Sequence, residues 1–175
     1  ELREDAGNLH GVLFGRFLSG EFPERIQAAL EELFPGMRLR FRQTQDGRVF
    51  LVGEEGGVEV KPPGLPDGLY KVLAVLTALE LKPSLLVIDE IENSLHARAV
   101  EYLLDEIRES GVPSVVVTHS PVVVDAIDPS ELLMAERDPA EGTSFRRVSD
   151  PEEVRRKLRE FGITQSEAWL YGRLE

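Results

Sequence analysis

Hydrophobic positions change their spacing along this chain, and each change marks a different kind of element. Over residues 8–19 and 23–34 apolar side chains recur at helical spacing; in the second stretch Ile26, Leu30 and Leu33 share one face. Pro23 stands near the start of that helix and Pro35-Gly36 stops it, since proline suits a first turn and glycine a helix end. From Met37 the period drops to two. "MRLRFRQ", "RVFLVG" and "GVEV" predict three short antiparallel strands, turned at Asp46-Gly47 and Gly56-Gly57. Residues 61–68, "KPPGLPDG", hold three prolines and two glycines and predict no regular structure.

Beyond this break the pattern becomes α/β. A helix is predicted over 68–81, with Leu69, Val72, Leu73, Leu76 and Leu79 apolar. Residues 84–89 read as a fully buried strand, and the absence of alternation suits a parallel one. A helix over 95–110 carries Ala97, Val100, Leu104 and Ile107 on one stripe and is closed by Gly111 and Pro113. "SVVVT", residues 114–118, reads as a second buried strand. Such a strand–helix–strand unit crosses over right-handedly and puts both strand C-termini on one edge, where ligands bind. Asp89, Glu90 and His119 fall at that edge. Further on, Asp150 caps a helix from Pro151, with Glu152 and Glu153 in its first turn and Val154, Leu158 and Phe161 as its apolar face. Thr164 and Glu167 have capping-box spacing before "AWLYG".

Composition narrows the classes. With 175 residues, 42% apolar and 30% charged, the chain reads as a globular domain with a core. No apolar run approaches the ~18 residues of a membrane span. A net charge of −12 disfavours broad nucleic-acid binding. Arg38, Arg40 and Arg42 alternate with Met37, Leu39 and Phe41, so the arginines share a strand face. That face is either solvated or a contact for a polyanion or acidic partner. The chain has no cysteine, and His10, His96 and His119 are too scattered to suggest zinc. The default compartment is cytoplasmic.

The candidate chemistry starts at "LLVIDE", residues 85–90, where an apolar run ends in two carboxylates. Carboxylates at the edge of an interior are costly unless a cation meets them. Asp89 is suited to hold hydrated Mg²⁺ on a nucleotide's phosphates, and Glu90 to orient an attacking water. "VVVTHSP" presents His119 where it could sense a γ-phosphate. "NSLH", residues 93–96, leads into a helix, and Asn93 or Ser94 also suits its N-cap. "LPDG", residues 65–68, sets a helix N-terminus that offers N–H groups and partial positive charge to a phosphate; an ordinary helix start would look the same.

Taken in order, these four stretches resemble the C-terminal half of an ABC-type ATPase head, most nearly the AAA-family ATPases related to RecF, SMC proteins and the OLD family. In that resemblance "LPDG" is the signature motif, "LLVIDE" Walker B, "NSLH" the D-loop and "THS" at 118–120 the H-loop. "GNLHGVL" at 7–13 and the tail "FGITQSEAWLYGRLE" look like further family segments. The resemblance implies an α/β fold: the C-terminal lobe of a P-loop NTPase of ABC type, with parallel strands flanked by helices after a small antiparallel meander. It implies a single domain over 1–175, made of a helical segment (1–36), the meander (37–61), the signature-to-H-loop core (62–149) and C-terminal helices (150–175).

The same resemblance implies ATP and Mg²⁺ as cofactors. Asp89 would hold the metal, and Glu90 and His119 would be catalytic. Pro66, Asp67, Gly68, Ser94 and His96 would contact nucleotide. Implied partners are an N-terminal ATPase lobe, a second head in an ATP-dependent head-to-head homodimer, and a DNA or protein target; no membrane is implied. No Gly-Lys dipeptide occurs, so the phosphate loop G-x-x-x-x-G-K-[ST] is missing. The family pattern places it before Glu1, which predicts an inactive chain whose sheet is incomplete, with an edge that the absent lobe would cover. Pro66 departs from the family's serine, and Asp67 there would have to turn away or pair with Lys71. A Toprim-type nuclease would need a D-x-D pair after a strand, and there is none. A non-catalytic interaction domain that kept the fold is the remaining alternative.

Overall fold

Two helices, α1 (Leu9–Leu18) and α2 (Glu24–Leu33), begin the chain, as the helical spacing predicts, with Pro23 as the α2 N-cap. The antiparallel meander follows: β1 (Met37–Gln43), β2 (Val49–Glu55) and β3 (Val58–Val60), in that order across the sheet. The register sets Arg38 opposite Glu54, and Glu54 opposite Glu59. Arg40 Nη2 lies 2.6 Å from the Glu54 carboxylate and Arg42 Nη2 lies 2.7 Å from that of Glu59. The arginine face is thus largely a cross-strand charge ladder, which favours the solvated reading over a polyanion contact. On the other face, the Phe41 ring meets Phe14 and Phe17 of α1 at 5.5 and 5.3 Å. The proline-rich break is not wholly irregular. It contains a 3-10 turn at Pro62–Gly64, since two prolines already hold the φ that such a turn needs.

The computed structural model describes residues 1–172 and 174, and the chain divides into two compact units, Glu1–Val117 and Thr118–Glu175. The core helix of the first unit is α3 (Asp67–Glu80). Gly68, Leu69, Val72, Leu73, Val75, Leu76 and Leu79 are buried, because α3 packs against α1, α2 and α4 (Ala97–Ser110). Each such leucine contributes about 1.5–3 kcal/mol by leaving water. Arg25 of α2 clips α3 and α4 together, with Nε 2.5 Å from Glu106 and Nη1 3.5 Å from Glu80. Burial, and Glu106 beside it, push the Tyr102 phenol up to about 12.

The strands β4 (Leu86–Asp89) and β5 (Ser114–Val117) pair in parallel, Leu86 opposite Ser114 through Asp89 opposite Val117. The expectation of fully buried strands needs correction. Ile88 is buried, but Val87 is 60% exposed, Leu85 53%, and Val115 and Val117 48% each. These four apolar side chains fall on one face of the pair, by the alternation of a strand. The other face alone is packed, and no further strand pairs with β4 or β5 among the described residues.

The second unit holds α5 (Pro121–Ala126), the hairpin β6 (Leu133–Asp138) and β7 (Gly142–Arg147), α6 (Pro151–Phe161) and α7 (Gln165–Leu170). The division at 117/118 falls inside the stretch 62–149 read from sequence as one core. It does so because β6 and β7 pair with each other and not with β4 or β5. Val148, Val154, Ala168 and Leu174 form this unit's own small core. Both predicted caps form: Asp150 accepts from the Glu153 N–H, and Thr164 and Glu167 make a reciprocal capping box. Gln165 Nε2 donates to Val124 O and Ile127 O, and Asp125 accepts from Ser166 N and Oγ, locking α7 onto α5. Arg173 and Glu175 of the expected C-terminal helices lie outside the described residues.

Arg155 Nη2 grips both Asp128 carboxylate oxygens, at 2.6 and 2.7 Å. Hydrogen bonds from Arg155 first, and from Ser130 next, hold that carboxyl well below the usual carboxylate range. Its folded pKa is depressed, so its stabilising contribution is present above its unfolded value near ~3.9 and is lost as pH falls through the folded one. Urea unfolding midpoints are therefore expected to drop on acidification below about pH 4. Asp128→Asn should flatten that part of the profile. An unchanged slope in the variant would show that other carboxylates govern it.

Candidate functional site

At the end of β4 the backbone turns abruptly. Asp89 is exposed at the last strand position, and Glu90 adopts a left-handed conformation with φ +48°. Such a φ is uncommon for a residue with a Cβ, and its occurrence at a candidate catalytic position is itself informative. Several contacts fix it. Glu90 N–H donates to Val117 O at 2.9 Å, and Glu90 O accepts from Asn93 N at 3.0 Å. The Asn93 side-chain amide donates to the Glu90 carboxylate. Ser94 is also left-handed, at φ +65°.

The helix after this loop starts later than the sequence suggests, and neither Asn93 nor Ser94 caps it. The N-cap of α4 is His96, whose Nδ1 accepts from Ala99 N at 3.2 Å. Ser94 cannot serve, because an N-cap needs extended backbone and Ser94 is left-handed.

The predicted signature supports this loop from below. Pro66 is the N-cap of α3, with φ −61° and ψ 138° and no side-chain cap, and Asp67 follows in the first turn. Gly68 is buried. A Cβ added to it would lie 2.5 Å from the Ser94 carbonyl oxygen and 3.2 Å from Leu95 Cδ2. Glycine is required by this close approach, not by its dihedrals. Lys71 does not pair with Asp67. Its Nζ donates to Glu90 O at 2.9 Å and reaches Asp89 O at 3.4 Å.

The structure thus brings Asp89, Glu90, Ser94 and Gly68 together in one unit, with Pro66 and Asp67 at the start of the supporting helix and His96 at the start of the next. His119 belongs to the second unit, two residues past Val117 in sequence; Thr118 Oγ1 accepts from Ser120 N there. Sequence reasoning missed Lys71 and Asn93 as partners of Glu90. The spacing Glu90–Asn93 suits a turn and could have suggested the second; nothing local signals the first. No group of three or more ligating side chains gathers for a metal among the described residues. Mg²⁺ bound to phosphates asks for only one or two carboxylates, with waters completing its shell. The exposed Asp89 oxygens fit that demand.

The fold is similar to that of solved SMC ATPase heads. A solved chain from work on ATP-driven dimerization and DNA stimulated activation of SMC ATPases superposes with TM-score 0.60 at 16% identity, over 88% of this chain and 99% of that one. The Smc head domain with coiled coil and joint from Pyrococcus yayanosii gives 0.59 at 18%, over 85% of this chain and 30% of that one. The SMC head domain from Thermotoga maritima gives 0.52 at 19%, over 81% and 52%. The chain therefore spans almost all of the first structure but only about a third to a half of the other two. A family model matches residues 8–125, and the chain belongs to that family, described as "AAA domain, putative AbiEii toxin, Type IV TA system". No curated protein matches it. No helix among the described residues is long and apolar enough to cross a membrane.

Proposed function

We propose that this chain is the C-terminal half of an ATP-hydrolysing head, completed by a phosphate-loop lobe and by ATP-dependent pairing with a second head. The observation that carries the reading is the Asp89-Glu90 pair at the C-terminal end of parallel β4, with Glu90 pinned in left-handed backbone. Asp89 is the residue that would hold Mg²⁺, and Glu90 is placed to take the proton of the attacking water. By the resemblance alone, His119, which belongs to the second unit, is assigned the γ-phosphate contact. Pro66, Asp67, Gly68, Ser94 and His96 form the surface offered to the nucleotide of the opposite head. ATP with Mg²⁺ supplies the transferable phosphoryl group and the charge neutralisation that these side chains do not.

Support for the missing lobe comes from the sheet. Leu85, Val87, Val115 and Val117 form an apolar face without a cover in their own unit, the kind of surface that a partner buries. The absence of a Gly-Lys dipeptide removes the contacts that usually bind the triphosphate. The 175-residue chain alone is therefore expected not to turn over MgATP, and hydrolysis should appear when the phosphate-loop lobe is joined to it. Turnover by the chain alone, abolished by Glu90→Gln, would show the site to be complete in itself. Pro66, which lacks both hydroxyl and N–H, favours a second reading, an interaction domain that no longer hydrolyses ATP. Absence of turnover in the completed head would support that reading instead.

A further inference from the structure

We propose that Lys71 is a positioning residue for Glu90, its ammonium holding the turn at Asp89 and Glu90 in the backbone conformation that sets the carboxylate; the inference rests on Glu90 being the base assigned above. In a regular strand successive carbonyls point to opposite sides. Here the carbonyls of Asp89 and Glu90 both lie within reach of one Nζ, at 3.4 and 2.9 Å. That convergence goes with the left-handed φ of +48° at Glu90. A side chain with a Cβ resists this conformation, so it persists where surrounding contacts over-determine it.

Lys71 is well placed to be such a contact. It is half-buried on α3 and forms no ion pair among the described residues, so the carbonyl pair is its partner. The helix that carries it is registered on the same loop one turn earlier, where Gly68 abuts the Ser94 carbonyl. Asn93 completes the arrangement from within the loop, by bonding both the Glu90 carbonyl and its carboxylate. The first two turns of α3 therefore act as a template for residues 89–94. Displacement at the helix N-terminus would be felt at Glu90 through Lys71.

The test uses the complete head and the variants Lys71→Met and Lys71→Arg. Without nucleotide, amide hydrogen exchange over residues 90–94 should quicken about tenfold in Lys71→Met and stay near parent in Lys71→Arg, whose guanidinium retains donors. Hydrolysis by Lys71→Met should show kcat lowered about tenfold or more, with the KM for ATP within about twofold. Combining Lys71→Met with Glu90→Gln should be no slower than Glu90→Gln alone, because Lys71 acts through Glu90. Unchanged exchange and kcat in Lys71→Met would overturn the inference, as would a double variant slower by the full single-variant factor. Parent-rate hydrolysis by Glu90→Gln would overturn the assignment of the base, and the inference with it. A normal Lys71→Met beside an inactive Glu90→Gln would overturn the inference alone.

Discussion

Glu90→Gln in the complete head is expected to slow ATP hydrolysis by ~10²–10⁴-fold while ATP binding survives. The substitution keeps size and shape, and the amide oxygen can still accept from the Asn93 side chain. The backbone contacts to Val117 O, Asn93 N and Lys71 Nζ do not involve the carboxylate, so the turn should stay as it is. What disappears is the group that accepts a proton from water. ATP-bound paired heads should then accumulate, visible by sedimentation, while single-turnover measurements report the lost rate. Hydrolysis at the parent rate would mean that the proton leaves by another route and that the two carboxylates have been given the wrong roles.

Gly68→Ala should lower stability by about 1–3 kcal/mol, although alanine is the better helix former by about 1 kcal/mol. The new methyl group would stand 2.5 Å from the Ser94 carbonyl oxygen, a backbone atom in a loop held by several hydrogen bonds. Either α3 or the loop must shift, and the shift falls beside Glu90. Gly15→Ala provides the contrast, because nothing lies within 4 Å of a Cβ there and α1 should gain from the change. Urea unfolding of both variants separates the two effects. If Gly68→Ala were stabilised as Gly15→Ala is expected to be, α3 and the loop would not be in contact as described.

Much of this arrangement could be read from residue order, and the exceptions have physical causes. The caps at Asp150 and Thr164 were legible because capping is local: a side chain reaches an N–H three residues on. The α2 face of Ile26, Leu30 and Leu33 and the alternating arginines of β1 were legible because burial imposes a period. The half-covered state of β4 is not legible, since a continuous run such as Leu85 to Ile88 looks the same whether one face is covered or two. No sequence pattern marks the hairpin β6–β7, because β7 is exposed along its whole length and carries no apolar alternation. At the site, Asp89 and Glu90 stood out because carboxylates end an apolar run. The left-handed turns at Glu90 and Ser94 did not, because neither residue is a glycine. Lys71 reaches carbonyls 18 and 19 residues away, a tertiary contact that no local pattern encodes.

If this acidic edge is the metal-and-water half of a nucleotide site, ATP affinity must depend on Asp89 only when Mg²⁺ is present. The measurement compares the complete head with its Asp89→Asn variant, under conditions that prevent turnover. Asp89→Asn removes a charged oxygen ligand from an exposed position at the strand end and leaves the fold's packing untouched. The prediction is that both proteins bind ATP alike without the metal, and that only the parent gains affinity when Mg²⁺ is added. An equal gain in the variant would show that Asp89 plays no part in holding the metal.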